Sequence, residues 1–196
     1  MTNLAAHVER IPRDCMWEIT RACNLRCVHC MVSAGKREDN ELSTDEALAL
    51  ADDLIAAGCT SACLTGGEPL VREDWPQIAE HLARGGVETR LTTNGQLVDE
   101  PQIERMRRAG LNTVTVSLDG TREVHDAIRQ TSSGAGESRY DRAIRALELL
   151  VASPLKTKVV TQIHKRNLDH LDQLHELLAE LGIDGWQLQI AIPAGR

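Results

Sequence analysis

Segments with strand character alternate with segments of helix character along nearly the whole chain. Residues 113–118, for example, alternate valine and leucine with polar neighbours, which is the two-residue period of a strand. Residues 44–57 instead carry apolar side chains at helical spacing, and Ser43 and Glu46 form a capping-box sequence before them. Strict alternation predicts a parallel sheet with right-handed crossovers, in either a partly closed barrel or an open doubly wound sheet. The predicted strands are residues 16–20, 61–65, 88–93, 113–118, 158–163 and 186–192, and the predicted helices are residues 44–57, 75–84, 100–109, 140–152 and 168–181.

Three cysteines stand close together after the first predicted strand, with the spacing C-x3-C-x2-C at Cys23, Cys27 and Cys30. Iron–sulfur clusters are usually held by four thiolates, so three thiolates on a four-iron cluster leave one iron without a protein ligand. An open metal position can bind a small molecule, as it does in catalytic metal sites. The spacing therefore indicates a site for chemistry as well as for electron storage.

A zinc site is the competing interpretation of these cysteines, with His29 as the fourth ligand. Structural zinc sites usually pair two short ligand knuckles, whereas this chain has one, and adjacent residues such as His29 and Cys30 rarely reach the same tetrahedral ion without strain. Zinc is therefore the less favoured interpretation. The remaining cysteines, Cys15, Cys59 and Cys63, are expected to be small buried hydrophobes.

Polar or glycine-rich sequences follow the second, third and fourth predicted strands. Each of them is also typical of an ordinary turn that ends a strand. Because active sites of parallel βα folds form at the carboxyl ends of the strands, we expect these sequences to converge with the cysteines on one rim. The residues concerned are Gly66, Gly67, Glu68, Thr93, Asn94, Ser117 and Asp119.

Composition narrows the class of protein. The net charge of −7 argues against nucleic acid as the main partner, because nucleic-acid-binding proteins usually present a basic face. No run of about 18 apolar residues is present, so no membrane partner is expected. Residues 1–13 form an N-terminal leader segment without the apolar core of a signal peptide, ahead of a core domain at residues 14–196. We expect a cytoplasmic protein, in which the thiols stay reduced.

The cysteine spacing after a first strand and the Gly-Gly-Glu-Pro sequence after a second resemble those of the radical S-adenosylmethionine (radical SAM) superfamily. The resemblance covers about residues 14–196 and implies an α/β fold, a partial parallel (βα)6 TIM-type barrel that stops after the sixth strand. In this family three cysteines hold a [4Fe-4S] cluster, and SAM binds the remaining iron through its amino and carboxylate groups. One electron from the cluster cleaves SAM to methionine and a 5′-deoxyadenosyl radical, which abstracts hydrogen from the substrate.

The resemblance also implies roles for individual residues. The three cysteines become the cluster ligands, and the glycine-rich sequence accepts the SAM ammonium group with its carboxylate and exposed backbone. Arg129 binds the SAM carboxylate, and His29 stands where the family usually has an aromatic ring near the adenine. No substrate base or radical acceptor is implied. The residues implied to contact SAM are Gly66, Gly67, Glu68, Thr93, Asn94, Ser117, Asp119 and Arg129.

Residues 17–25 and the Ser-Leu-Asp-Gly sequence at residues 117–120 are most similar to one branch of the superfamily. Its members carry a cysteine-rich SPASM or twitch extension and modify peptides or finish cofactors, in pathways such as those of mycofactocin and haem. This implies a peptide or small cofactor precursor as substrate and reduced flavodoxin or ferredoxin as electron donor. Because the chain stops after the sixth strand, we expect a C-terminally truncated form. The alternative is a non-catalytic iron–sulfur and SAM-binding protein that relays electrons or docks a partner.

Overall fold

Six parallel strands form one curved sheet in the computed structural model, which describes residues 12–131 and 136–190. Each strand pairs with the next one in the chain, from first to last, without a reversal. A doubly wound sheet would reverse its order near the middle, so this order is that of an open partial barrel. The predicted α/β fold is therefore confirmed. The strands are β1 (Asp14–Thr20), β2 (Ser61–Gly66), β3 (Glu88–Thr93), β4 (Thr113–Ser117), β5 (Lys156–Ile163) and β6 (Gly185–Ile190).

Six α-helices, one more than predicted, lie between the strands in the part of the chain that the structure describes. The additional helix is α4, which the sequence pattern did not predict because its seven residues are too few for a helical period to stand out. The last helix begins at Leu171, after a short 3-10 turn at Leu168–His170, and not at residue 168. No helix among the described residues is both long and apolar enough to cross a membrane. The helices are α1 (Thr44–Ala56), α2 (Trp75–Arg84), α3 (Glu100–Arg108), α4 (Arg122–Ile128), α5 (Arg139–Val151) and α6 (Leu171–Leu181).

The apolar core fills the space between the convex face of the sheet and the helices. Side chains alternate across each strand, so Leu64, Leu91 and Val116 point into this core and are fully buried. Helical residues such as Ile78 and Leu147 complete it. The alternate strand residues point to the concave face, where polar side chains prevail. The concave face is therefore free to form the site while the convex face stabilises the fold.

The cap of α1, the cysteines outside the loop and the end of β6 were also predicted from the sequence. The capping box at the start of α1 is confirmed, since Ser43 and Glu46 exchange both hydrogen bonds. Cys59 and Cys63 are buried as predicted, whereas Cys15 is only half-buried. The sixth strand is described as far as Ile190, and residues 191–192 of its predicted range lie outside the described residues.

Candidate active site

The cysteine loop, residues 21–43, leaves the end of β1 and returns to α1, and a half-buried carboxylate ties its two ends together. Glu41 accepts hydrogen bonds from the Thr20 hydroxyl at 3.0 Å, the Arg21 amide at 2.6 Å and the Glu38 amide at 3.2 Å. Arg37 adds an ion pair to Glu41 at 3.3 Å. Although burial would raise the pKa of Glu41, these donors hold it below its ordinary value. Glu41 thus remains charged and fixes the base of the loop to the strand.

An internal hydrogen bond and the segment at the end of α4 hold the middle of the cysteine loop. The Cys23 amide donates to the Gly35 carbonyl at 2.9 Å, which folds the loop back on itself. The Arg26 amide donates to the Gln130 carbonyl at 2.6 Å, and the Val28 amide donates to the Ile128 carbonyl at 3.0 Å. The loop is therefore bound to the segment at the end of α4, the helix that the sequence did not predict.

All three cysteines of the loop line one cavity of about 220 Å³ at the carboxyl edge of the sheet. The Cys23 sulfur accepts the Leu25 amide at 3.4 Å, and the Cys30 sulfur accepts the Ala34 amide at 3.3 Å. Burial raises the pKa of Cys23 to about 11 and also raises that of Cys27, so both are neutral thiols until a metal replaces the proton.

The donor set fits an iron–sulfur cluster. Amide-to-sulfur hydrogen bonds of this kind stabilise the charge of bound thiolates. Within residues 12–131 and 136–190, no three histidine, cysteine, aspartate or glutamate side chains converge closely enough to share one metal ion. A four-iron cluster does not need that convergence, because each thiolate binds a different iron. Three thiols spread along one cavity wall are therefore suitable ligands for a cluster.

The glycines at the end of β2 bring this strand directly against the base of the cysteine loop. A Cβ on Gly66 would overlap the Thr20 carbonyl oxygen, and a Cβ on Gly67 would overlap the Ala22 carbonyl oxygen. Gly66 also has a φ of +142°, which L side chains rarely adopt. Because glycine has no Cβ, the backbones come close enough for the Gly67 amide to donate to the Thr20 carbonyl at 2.8 Å. Both glycines line the cavity, as expected for backbone exposed to a ligand.

Glu68 lies behind the cavity wall and is fully buried. Its carboxylate accepts the Thr93 hydroxyl at 2.8 Å, the Asn94 amide at 2.7 Å and the Leu70 amide at 3.2 Å. Burial raises the pKa of Glu68 to about 7 even though these donors act in the opposite direction. The carboxylate thus connects the end of β2 to the end of β3, and its hydrogen bonds go to the protein.

Thr93 and Asn94 both line the cavity, and Asn94 also reaches the cysteine loop. Its side-chain amide donates to the Asn24 carbonyl oxygen at 2.8 Å and lies 4.0 Å from the Cys23 sulfur. A chain of contacts therefore runs from Glu68 through Asn94 to the residue that follows the first cysteine.

Asp119 lies behind the opposite wall of the cavity and is fully buried. One carboxylate oxygen accepts the Arg129 Nε at 2.7 Å and lies 3.6 Å from the His29 Nε2, and the other accepts the Gln162 amide at 3.0 Å. Burial would raise the pKa of Asp119, but the Arg129 guanidinium holds it below its ordinary value. Burial lowers the pKa of His29 to about 4, so this imidazole is neutral near pH 7.

Arg129 and Ser117 line the cavity, whereas Asp119 does not. The burial of Leu118 in the core confirms that Ser117 points to the concave side, as its alternation predicted. The structure therefore presents the guanidinium of Arg129 to the cavity and uses Asp119 to fix its orientation.

Residues 17–178 match the model of the radical SAM superfamily. This chain belongs to the radical SAM superfamily. The resemblance inferred from the cysteine spacing and the Gly-Gly-Glu-Pro sequence is thereby confirmed.

Similar curated proteins include enzymes of cofactor maturation. The Fe-coproporphyrin III synthase of Methanosarcina barkeri is 35% identical over 183 residues, which are 91% of this chain and 45% of that protein. The mycofactocin maturase MftC of Mycobacterium tuberculosis is 37% identical over 168 residues, which are 85% of this chain and 41% of that protein. The chain thus spans about half the length of the curated relatives it matches. These names agree with the peptide- and cofactor-maturing branch that the sequence indicated.

Solved structures of the superfamily have the same fold. Streptococcus suis SuiB bound to S-adenosylmethionine superposes with a TM-score of 0.81 at 18% identity, over 94% of this chain and 42% of SuiB. The structure of anSMEcpe with bound AdoMet gives a TM-score of 0.78 at 18% identity, over 91% of this chain and 51% of that one. At this level of identity the likeness concerns the fold.

Most residues predicted for a radical SAM site meet in this single cavity. Glu68 and Asp119 instead support the wall from behind. Sequence reasoning missed Glu41, Asn24 and His125; the buried His125 accepts the Asp119 amide at 3.2 Å. The roles of Glu41 and Asn24 could not be predicted, because they depend on contacts with residues 20 and 70 positions away in the chain. His125 lies in α4, which the sequence did not predict. The predicted residues on the cavity wall are Cys23, Cys27, His29, Cys30, Gly66, Gly67, Thr93, Asn94, Ser117 and Arg129.

Proposed function

We propose that the chain is the core of a radical SAM enzyme in which Cys23, Cys27 and Cys30 hold a [4Fe-4S] cluster and SAM occupies the adjoining cavity. The observation that carries this proposal is that three thiols, a glycine-rich strand end and a buried arginine line the same cavity. The bound cluster and SAM supply one-electron cleavage of the sulfonium, giving methionine and a 5′-deoxyadenosyl radical that abstracts a substrate hydrogen.

The protein's own residues bind and orient SAM. Backbone oxygens near Gly66 and Gly67 accept hydrogen bonds from its ammonium group, and Arg129 donates to its carboxylate. Ser117, Thr93 and Asn94 provide polar contacts along the wall between these two points. We assign Glu68 and Asp119 positioning roles, because their carboxylate oxygens already accept hydrogen bonds from protein groups.

The substrate is proposed to be a peptide or a small cofactor precursor. Two findings favour this class: the relatives include a mycofactocin maturase and haem-pathway synthases, and one similar structure is SuiB bound to its precursor peptide SuiA. The proposal includes reduced flavodoxin or ferredoxin as electron donor, a cytoplasmic location, and no nucleic-acid or membrane partner. Residues 14–196 would form the catalytic core behind a leader segment of residues 1–13.

The test is anaerobic reconstitution with iron and sulfide, followed by metal and sulfide analysis and by electron paramagnetic resonance of the reduced protein. We expect about four irons per chain, a resonance that changes when SAM is added, and 5′-deoxyadenosine after addition of dithionite and SAM. Cys30→Ala should lose the cluster. Cys59→Ala is the matched control and should keep it, because Cys59 is buried away from the cavity.

Three other results would contradict the proposal. Zinc without iron and sulfide would favour the zinc interpretation. A cluster whose resonance ignores SAM, with no 5′-deoxyadenosine, would favour the non-catalytic iron–sulfur protein. Equal cluster content in Cys30→Ala and Cys59→Ala would show that the cavity thiols are not the ligands.

A further inference from the structure

A second cavity, of about 320 Å³, occupies the concave face of the sheet and adjoins the SAM cavity. It extends along the inner faces of the strands toward their amino ends. Both cavities share Met16, Thr65, Thr92, Ser117, Arg129 and Gln162. A molecule in the second cavity would therefore touch the residues that border the first.

The second cavity carries an excess of positive charge, although the whole chain has a net charge of −7. Arg90 and Lys158 line it together with Arg129, and Asp14 is its one acidic lining residue among those described. Because Arg129 is already paired with Asp119, the positive charge left for a ligand comes from Lys158 and Arg90. Arg90 donates to Asp14 with one terminal nitrogen, while its Nε is buried and has no hydrogen-bond partner. Lys158 forms no ion pair with any described residue. Local positive charge of this kind attracts an anionic group.

The chemistry of the hydrogen-bond donors in this cavity favours a carboxylate as the bound anion. A guanidinium edge with a free Nε matches a planar carboxylate, and the Lys158 ammonium supplies a second charge. Phosphate sites typically use several unpaired backbone amides at a helix start or in a glycine-rich loop. The backbone amides at the level of Lys158 are already used in the strand ladder.

The register of the strands fixes how far such a carboxylate would lie from the SAM cavity. Lys158 pairs with Thr115, and Thr115 pairs with Thr92, so these residues stand at one level. Ser117 lies two residues nearer the rim on the same inner face. At about 3.3 Å per residue, the levels of Lys158 and Ser117 are roughly 7 Å apart along the strand. Arg90 pairs with Thr113 and stands two residues farther from the rim, so its guanidinium approaches the carboxylate from below.

We propose that the concave cavity binds a carboxylate group of the substrate through Lys158 and Arg90, and holds the reacting carbon about two strand residues away, beside Ser117 and Arg129. The inference rests on the proposed function, since it names the substrate chemistry of that enzyme. Gln187 and Gln189 on β6 line the same cavity and can hydrogen-bond amide or further carboxylate groups of the substrate.

The test measures binding without turnover, by amide NMR on the anaerobic, cluster-loaded and SAM-bound protein in the absence of reductant. The probe is hexanoate, and its neutral counterpart is hexanamide. We expect hexanoate to shift amide resonances of β3–β5 saturably and hexanamide to bind at least about fivefold more weakly. Equal affinities, or no saturable shift by tens of millimolar hexanoate, would overturn the proposal.

Charge-removing variants locate the site. Lys158→Gln and Arg90→Gln should each weaken hexanoate binding by about fivefold, whereas Lys165→Gln should leave it unchanged. Lys165 is an exposed lysine just after β5 and outside the cavity, which makes it the matched control. Because Arg90 pairs with Asp14, its variant is assessed only if its amide spectrum is that of the folded protein. Lys158 is exposed and makes no such pair, so an unaltered affinity in Lys158→Gln is by itself decisive against the site.

Two further measurements identify the source of the carboxylate and separate this proposal from the radical SAM proposal. The first uses N-acetyl-trialanine with a free carboxyl terminus. Tighter binding than that of hexanoate identifies a peptide as the source of the carboxylate, and weaker binding identifies a small molecule. Either result supports the site. Formation of 5′-deoxyadenosine is measured separately. If it forms while hexanoate fails to bind, only the carboxylate site is wrong; if hexanoate binds as expected and none forms, only the radical SAM proposal is wrong.

Discussion

At the scale of single residues, the sequence predicted where Glu68 lies but not the direction in which its side chain points. The sequence predicted that Gly66, Gly67 and Glu68 would lie at the rim, and the structure places them there. The hydrogen-bond partners of the carboxylate could not be predicted, because Thr93 lies 25 residues away on another strand. A contact of this kind depends on strand register, which the local sequence does not encode.

The pH dependence of stability is the first prediction at this scale. Burial raises the pKa of Glu68 to about 7, so the folded protein retains a proton that the unfolded chain releases near its ordinary value of 4.5. The stability from this group is complete below about pH 4.5 and is lost as the pH rises through 7. Because of this group, we expect the free energy of unfolding to fall by on the order of 3 kcal/mol between pH 4.5 and pH 8.

Urea unfolding of the wild type and Glu68→Gln across this range measures that contribution. The glutamine is neutral at every pH, so the variant should lose this part of the pH dependence even though it is less stable throughout. Glu73→Gln is the control, since Glu73 is exposed. The prediction fails if Glu68→Gln keeps the wild-type slope.

The ion pair of Asp119 and Arg129 gives the second prediction. Both side chains are buried, so Asp119→Asn leaves the Arg129 charge without its partner, and we expect a loss of roughly 3 kcal/mol in unfolding free energy. The pair of Asp141 and Arg122 is exposed, so Asp141→Asn should cost less than about 1 kcal/mol. Urea unfolding at one pH compares the two variants, and equal losses would contradict the assigned difference in burial.

At the scale of elements, sequence patterns located strands and helices well but did not describe the cysteine loop or α4. Helix α2 and strand β3 begin and end at the predicted residues, because apolar periodicity is a local signal. Helix α4 has seven residues and buries His125 beside Ile128, so it is too short and carries too few buried apolar residues for a helical period to stand out. Yet the end of α4 holds the cysteine loop and carries Arg129, so the missed element matters to the site.

The clamp at Glu41 supports a prediction for the whole loop. Glu41→Ala removes the acceptor shared by Thr20, Arg21 and Glu38, so the loop should lose its fixed base and hold the cluster less firmly. We expect severalfold faster loss of iron to a chelator, followed by the decay of the cluster absorbance. Asp39→Ala changes an exposed acidic residue in the same loop and should behave as the wild type. Identical rates in the two variants would mean that Glu41 does not position the loop.

At the scale of the molecule, alternation of strands and helices predicted the parallel sheet but left barrel and doubly wound topologies open. The choice depends on the side to which each crossover delivers the next strand, and short sequence patterns carry no such information. The resemblance to the radical SAM superfamily implied a partial barrel, and the unreversed order from β1 to β6 agrees with it. The same order brings the ends of β2, β3 and β4 to one rim, which made the site residues predictable as a group.

The cluster is predicted to stabilise the molecule as a whole, because the cysteine loop contacts elements that are far apart in the chain. It hydrogen-bonds Thr20 of β1 through Glu41, the end of β2 through Ala22 and the end of α4 through Arg26. A ligand that binds only the folded state raises its stability by mass action, so cluster removal with a chelator should lower the thermal midpoint by roughly 5 °C or more. Thermal unfolding of Cys59→Ala should show this decrease, whereas Cys30→Ala, without a cluster, should unfold at the same temperature before and after chelator. A midpoint that does not respond in Cys59→Ala, despite confirmed loss of iron, would show that the loop folds independently of the cluster.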